Sequence, residues 1–317
     1  MANKDKYRSL CQNEPTIPIF SRDWWLDTVC SHGIWDVSIV EKNGEIVASL
    51  PYYSKKIYGK SAITMPPLTQ TMGPWIKYPP GQKLATKISY EKDILKELIS
   101  KLPRFDYFEQ NFHHSVTNWL PFFWNKFNQT TRYTYIIRDL SNADRLFSDL
   151  RENIRRNIRK AEKELTVKQG DDVEKFYQLN QKTFERQNRK IPYPFTVIKK
   201  IDVACSSRNA RKILFAENSQ GDIHASVYII WDENSAYYLM GGSDPLLRNS
   251  GANSLLLWEA IKFAAGVTRT FDFEGSMIEP IERFFRAFGA EQIPYYYVTK
   301  INSKILKFAK LARKFFE

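Results

Sequence analysis

The chain has 317 residues, of which 43% are hydrophobic, 26% charged and 15% aromatic, enough for two medium domains or one large one and too apolar for a disordered chain. No apolar run approaches the roughly 20 residues needed to cross a bilayer, and the opening MANKDKYRSLCQNEP lacks a leader's apolar stretch, so a cytoplasmic protein is expected. A net charge of +12 favours anionic partners, while Cys11, Cys30 and Cys205 without a CxxC, and four scattered histidines, exclude a disulfide framework and leave no metal site expected.

Taken in chain order, a first helix is expected over Asp23–Val29, with Ser21 ahead of it as a cap. The stretch from Trp35 to Tyr53 reads as two strands around a Gly-containing turn. It is echoed by Arg211 to Ile230, where the GEIVAS at Gly44 recurs as GDIHAS at Gly221. Two further pairs follow in the same order: RFDYFEQNF (from Arg104) with TFDFEGS (from Thr270), and LPFFWNKFNQTTRYTYII (from Leu120) with IERFFRAFGAEQIPYYYV (from Ile281). Ordered self-similarity of this kind implies an internal duplication. A boundary is expected in the polar run Arg138–Asp144, giving domains 1–142 and 143–302.

Each half reads hairpin, third strand, helix, strand, helix, strand, a mixed α/β sheet with helices packed on it. In the second half, helices are expected at Val173–Arg186 and Phe195–Cys205, and strands at Lys212–Ala216, Ile223–Trp231 and Ala236–Gly241. A helix then follows over about Gly251–Ala265, a strand at Thr270–Glu274, a helix over Glu279–Phe288 and a strand at Tyr295–Lys300. Residues 303–317 read as a basic amphipathic helix that either docks on the first domain or meets a membrane surface.

The helix start at Ser250, Gly251, Ala252 and Asn253 is a candidate anion site. Small residues permit close approach, first-turn N–H groups lack intrahelical partners, and Arg248 adds charge just ahead. Period-2 geometry puts Asp272 and Glu274 on one strand face, where two neighbouring carboxylates would raise the pKa of one and make a general base. In the first half Asp106 and Glu109 fall on opposite faces, so the working site is expected in the second half, with the first shaping the acceptor cleft. Tyr295–Tyr297 read as aromatic core, with the Tyr296 hydroxyl the candidate acid, and His224 as a packed or hydrogen-bonded histidine. Between Arg151 and Lys163, Arg155, Arg156, Arg159 and Lys160 stand on helix faces beside an apolar stripe of Ile154, Ile158 and Ala161, and are candidates for phosphate contact.

The pattern R-x-x-G-x-x at Arg248, set between strand and helix, resembles the acyl-donor motif of the GNAT N-acyltransferase superfamily. The duplication, the basic helix LRENIRRNIRKAEKELTV (from Leu150) and the aromatic segment IERFFRAFGA (from Ile281) resemble the Fem-like branch, whose members carry two GNAT-like domains. The resemblance implies tandem GNAT-like domains, an acyl-CoA or aminoacyl-tRNA co-substrate with no permanently bound cofactor, and an amine acceptor such as a cell-wall peptide precursor. Arg283 and Arg286 become candidates for substrate or tRNA contact. Two positions depart from the pattern: Asn253 occupies the third small position, and Phe285 stands where tRNA-dependent members commonly carry lysine. The alternative is a non-catalytic RNA- or membrane-surface-binding protein on the same fold.

Overall fold

The computed structural model describes residues 2–307. The chain forms two compact units, one comprising residues up to Arg132 together with those from Pro294, the other Tyr133–Ile293. This division differs from the expected boundaries at 142/143 and 302. The second unit begins inside a strand, and residues 294–301 belong with the first because Tyr297–Ile301 pair with Tyr107–Asn111.

In the first unit, α1 (Asn3–Asn13) buries Tyr7 and Cys11, one helical turn apart, and α2 spans Asp23–Val29. Ser21 does not cap α2: it is buried in a 3-10 turn, the residue before the helix is Arg22, and the Ser21 carbonyl accepts from the Tyr7 hydroxyl at 2.7 Å. Strands β1 (Ile34–Lys42) and β2 (Glu45–Ile57) form the expected hairpin. Its two-residue turn, Asn43–Gly44, has both φ angles positive (53° and 81°), as the strands' twist favours. β3 (Lys60–Thr64), the short β4 (Trp75–Ile76), α3 (Leu84–Ser100), β5 (Tyr107–Asn111) and α4 (Leu120–Trp124) follow. The sheet order is β1-β2-β3-β5 and then the chain's last strand, with β4 beside β2. Its core gathers Leu50, Ile63, Leu98, Phe108, Phe122 and Val298.

The second unit holds β6 (Asn128–Ile137), α5 (Ala143–Asp149), α6 (Glu152–Glu164), β7 (Thr166–Gly170), α7 (Val173–Arg186) and α8 (Phe195–Ser206). Then come β8 (Arg211–Glu217), β9 (Ile223–Trp231), β10 (Ser235–Ser243), α9 (Ala252–Ala264), β11 (Thr270–Asp272), α10 (Glu279–Arg286) and the start of β12 (Glu291–Ile301), whose residues from Pro294 belong to the first unit. Strand order is β6-β11-β10-β9-β8-β7, antiparallel except for β10 with β11. Alternation along β9 separates two layers. Ala225, Val227 and Ile229 join α9 and the Ile154–Ile158–Ala161 stripe of α6 in one core. Tyr228 faces the other way, edge-on to Phe176 of α7 and donating to Asp202 of α8 at 2.9 Å.

Among the described residues no helix is long and apolar enough to cross a membrane. Residues 304–307 are helical, and the rest of the expected C-terminal amphipathic helix lies outside the described residues.

Candidate active site

β10 and β11 run parallel for only three pairs, Ser235 with Thr270, Ala236 with Phe271 and Tyr237 with Asp272. β10 continues to Ser243 on its β9 side, whereas β11 stops. The expected strand to Glu274 therefore ends two residues early. Glu274 (φ 58°) and Gly275 (φ 63°) both turn left-handed, a conformation that costs a side-chain-bearing residue and signals a constrained site. At Gly275 glycine is obligatory, because a Cβ would lie 2.0 Å from the Tyr133 carbonyl oxygen. The parallel pair thus opens at its carboxyl end, the position where α/β sheets bind ligands.

At this opening the two acids meet, though not side by side on one strand face. The Asp272 carboxylate accepts from the Thr134 hydroxyl of β6 and, at 2.7 Å, from the Glu274 N–H. Both acids are buried, at 7% and 9% exposure. Burial pushes Asp272 up to about 6, against the pull of its two donors. Burial, with the Asp272 charge adding, holds Glu274 well above the ordinary glutamate value.

A buried tyrosine ties α7 to β10. Tyr193, buried by the segment between α7 and α8, donates to Asn180 Oδ1 at 3.1 Å, and Asn180 Nδ2 donates to the Gly241 carbonyl of β10 at 2.7 Å. Burial raises the Tyr193 hydroxyl, with the nearby Tyr238 and Glu274 charges adding to the shift. The α7 backbone reaches β10 because residue 242 is glycine: a Cβ there would lie 2.4 Å from the Asn180 nitrogen. The IPYPF segment carried the readable signal, an aromatic pinned between two prolines.

The expected acid, Tyr296, has another role. It belongs to the first unit, packs on that core and donates to the Thr117 carbonyl at 3.1 Å, while Tyr297 donates to Glu109 at 2.6 Å. Pairing of β12 with β5 dictates this, and local sequence does not reveal it. His224 is buried, and neither ring nitrogen has a hydrogen-bond partner among the described residues.

The candidate donor loop runs from β10 into α9. Gly251 is left-handed (φ 84°) and lies against α6, where a Cβ would sit 2.4 Å from the Asn157 carbonyl oxygen. Ala252 is buried with its N–H 3.4 Å from Ser250 Oγ, Asn253 is half-buried, and Arg248 is exposed. Lys160 of α6 donates to the Asn249 carbonyl at 2.9 Å, which brings one of the basic candidates to this loop. The others divide. Arg156 is exposed on the same helix. Arg155 is tied to Glu152 and the Ser148 carbonyl, and Arg159 lies over the Phe147 ring. On α10, Arg283 pairs with Glu279 and Arg286 with Glu282, so both serve their own helix. Phe285 is core, its ring near those of Tyr238 and Phe273 (centroids 5.7 and 5.3 Å).

In the first unit the same opening is filled. β3 and β5 run parallel over Ala62–Tyr107 and Ile63–Phe108, but the chain then returns and Met72 bridges beside β5. The Met72 N–H donates to the Asn111 carbonyl at 2.7 Å, its carbonyl accepts from the His113 N–H at 2.8 Å, and Asn111 Nδ2 donates to the Gln70 carbonyl.

Residues 148–285 match the family model described as an acetyltransferase (GNAT) domain. No curated protein matches the chain in sequence. Among solved structures, FemX is similar at a TM-score of 0.67 and 14% identity, covering 94% of this chain and 96% of that one. The C-terminal domain of a putative lysylphosphatidylglycerol synthetase from Agrobacterium fabrum is similar at 0.56 and 13%, covering 98% and 96%. A tandem GNAT protein from the clavulanic acid biosynthesis pathway is similar at 0.52 and 11%, covering 95% and 94%. Residues 148–285 are thus similar to a GNAT acetyltransferase domain, and the chain has the fold of these two-domain GNAT structures.

Proposed function

We propose that the chain is an N-acyltransferase whose second unit passes an acyl group from an activated donor to an amine. The carrying observation is the buried Asp272–Glu274 turn at the mouth of the opened β10–β11 pair. Glu274, its pKa held well above the ordinary glutamate value by burial, takes the proton as the amine nitrogen attacks the donor carbonyl. Asp272, fixed by Thr134, positions the Glu274 main chain. Main-chain groups of β10 beyond Tyr237, which β11 does not pair, are suited to polarising that carbonyl. As the carbonyl's bond to the carrier breaks, the leaving sulfur or oxygen takes a proton from a tyrosine hydroxyl, Tyr193 or Tyr238 in place of Tyr296.

Arg248, Lys160 and the start of α9 would hold the carrier's phosphates. Of the two donors that the resemblance implies, the apolar packing of Phe285 favours acyl-CoA over aminoacyl-tRNA. The acceptor would be a small amine or a cell-wall peptide precursor, and three free, buried cysteines fit a cytoplasmic setting. The test is amine-dependent release of thiol from a panel of acyl-CoAs, abolished in Glu274→Gln. Absence of release across the panel, together with no CoA binding by calorimetry, would discard the acyl-CoA reading.

A second reading has one observation behind it. Close packing of Gly251 on Asn157 accounts for that glycine without any donor, as a non-catalytic RNA- or membrane-binding protein on this fold would require. Salt-sensitive tRNA binding without turnover would favour it.

A further inference from the structure

The first unit carries an apolar surface that its own core does not cover. Residues 83–89, at the start of α3, are all exposed, and burial on that helix begins only at Glu91. Leu84 is 72% exposed, and Ile88, one turn on, is also open to solvent. On the adjoining α4, Leu120, Phe123 (56%) and Trp124 (45%) are exposed as well. Five large apolar side chains on two neighbouring helices go well beyond the scattered exposed hydrophobics of an ordinary surface.

Lysines outnumber acids around them. Lys92 and Lys96 of α3 stand over the Trp124 ring at 5.9 and 5.4 Å, and Lys87 over the Tyr78 ring at 4.3 Å. Lys83 opens the helix. Of the acids on α3, Glu91 is turned inward to Tyr78 and Asn118, Glu97 is paired with Lys101, and Asp93 lies 3.8 Å from Lys96. Trp, Phe and Leu that project from a helix, rimmed by lysines able to extend their ammonium groups, match the interfacial zone of a bilayer. A helix start exposed on every side is shaped to enter a soft surface.

We propose that the α3–α4 face of the first unit docks on an anionic lipid surface, with Leu84, Ile88, Phe123 and Trp124 in the headgroup region and Lys83, Lys87, Lys92 and Lys96 among the lipid phosphates. This contact is separate from the acyl-transfer reading and stands without it.

The test is flotation of the full chain with phosphatidylcholine vesicles, with and without roughly a third of phosphatidylglycerol. Binding is expected only to the anionic vesicles, and raised salt should weaken it. A Phe123→Ser/Trp124→Ser variant should bind about tenfold less or weaker still, since both rings lose their apolar burial. Lys87→Glu/Lys92→Glu should also lose binding while melting at the wild-type temperature. No binding by the wild type would overturn the proposal. So would equal binding by the serine variant, which would move the contact to another surface such as the basic C-terminal segment. Self-association that the serine variant abolishes, without vesicle binding, would make this face a protein interface and overturn it too.

Discussion

The main-chain N–H of Glu274 donates to the carboxylate of Asp272 at 2.7 Å, so one acid of the pair holds the backbone that presents the other. Asp272 in turn is gripped by Thr134 from the neighbouring strand. In the proposed reaction Glu274 would be the proton acceptor and Asp272 the residue that fixes its backbone, roles that the following variants separate.

Glu274→Gln keeps the side chain's shape and removes the base. Acyl transfer should fall by about 100-fold or more in kcat, with the donor KM within about threefold of wild type. Steady-state kinetics on a variant with an unchanged circular dichroism spectrum checks this. A loss confined to KM would assign Glu274 to binding.

Thr134→Val deletes one of the two donors that stabilise the Asp272 anion. Asp272, the first of the pair to ionise, should then lose its proton about half a unit to one unit higher in an NMR titration of the carboxyl carbons, while the rising limb of kcat/KM, set by Glu274, should stay near its wild-type position. The cost to stability should be about 1 kcal/mol. A limb that moves with Asp272 would make Asp272, and not Glu274, the base.

Asp272 also links pH to stability. Its folded value of about 6 lies above the ordinary carboxylate range, so as pH rises through 4 to 6 the unfolded chain gives up this proton first. Wild type should therefore lose stability across that window, by at most about 3 kcal/mol from this group. Asp272→Asn keeps the accepting oxygen and lacks the titration. Relative to wild type it should gain between pH 4 and 7, measured by thermal melts at both ends. A pH-independent difference would contradict the burial argument.

Gly275→Ala places a methyl group against the Tyr133 carbonyl in a left-handed turn. A loss of roughly 2–4 kcal/mol is expected, seen as a lower denaturant midpoint. Gly221→Ala, in an equally left-handed turn with open space around it, should cost about 1 kcal/mol.

Arg248→Ala should raise the donor KM by about tenfold and flatten its dependence on salt. Lys160→Ala should do so more weakly, since its ammonium group already donates to Asn249. No effect from either variant would move the phosphate site away from α9.

Much of the scaffold was legible because its signals are local. The expected ranges of α2, α7 and β9 are those observed, each being carried by apolar periodicity. The first helix was not read: in NKDKYRSLCQN only Tyr7 and Cys11, four apart, mark its buried side. The acids were found, but their geometry was not. A strand reading carries Glu274 onward, whereas Asp272 accepting from the N–H two residues on makes an Asx turn, which the glycine at 275 could have announced. Tyr193 and Thr134 reach the site through tertiary packing and Tyr296 leaves it through strand pairing, so only the fold could sort them.

The Met72 bridge has a consequence for stoichiometry. With main chain occupying the gap beside β5, the first unit has no place like the one proposed for the carrier in the second, and the chain should saturate with one equivalent of carrier. On the proposed reaction the two units would divide the labour, the second receiving the carrier while main chain fills the corresponding place beside β5 in the first.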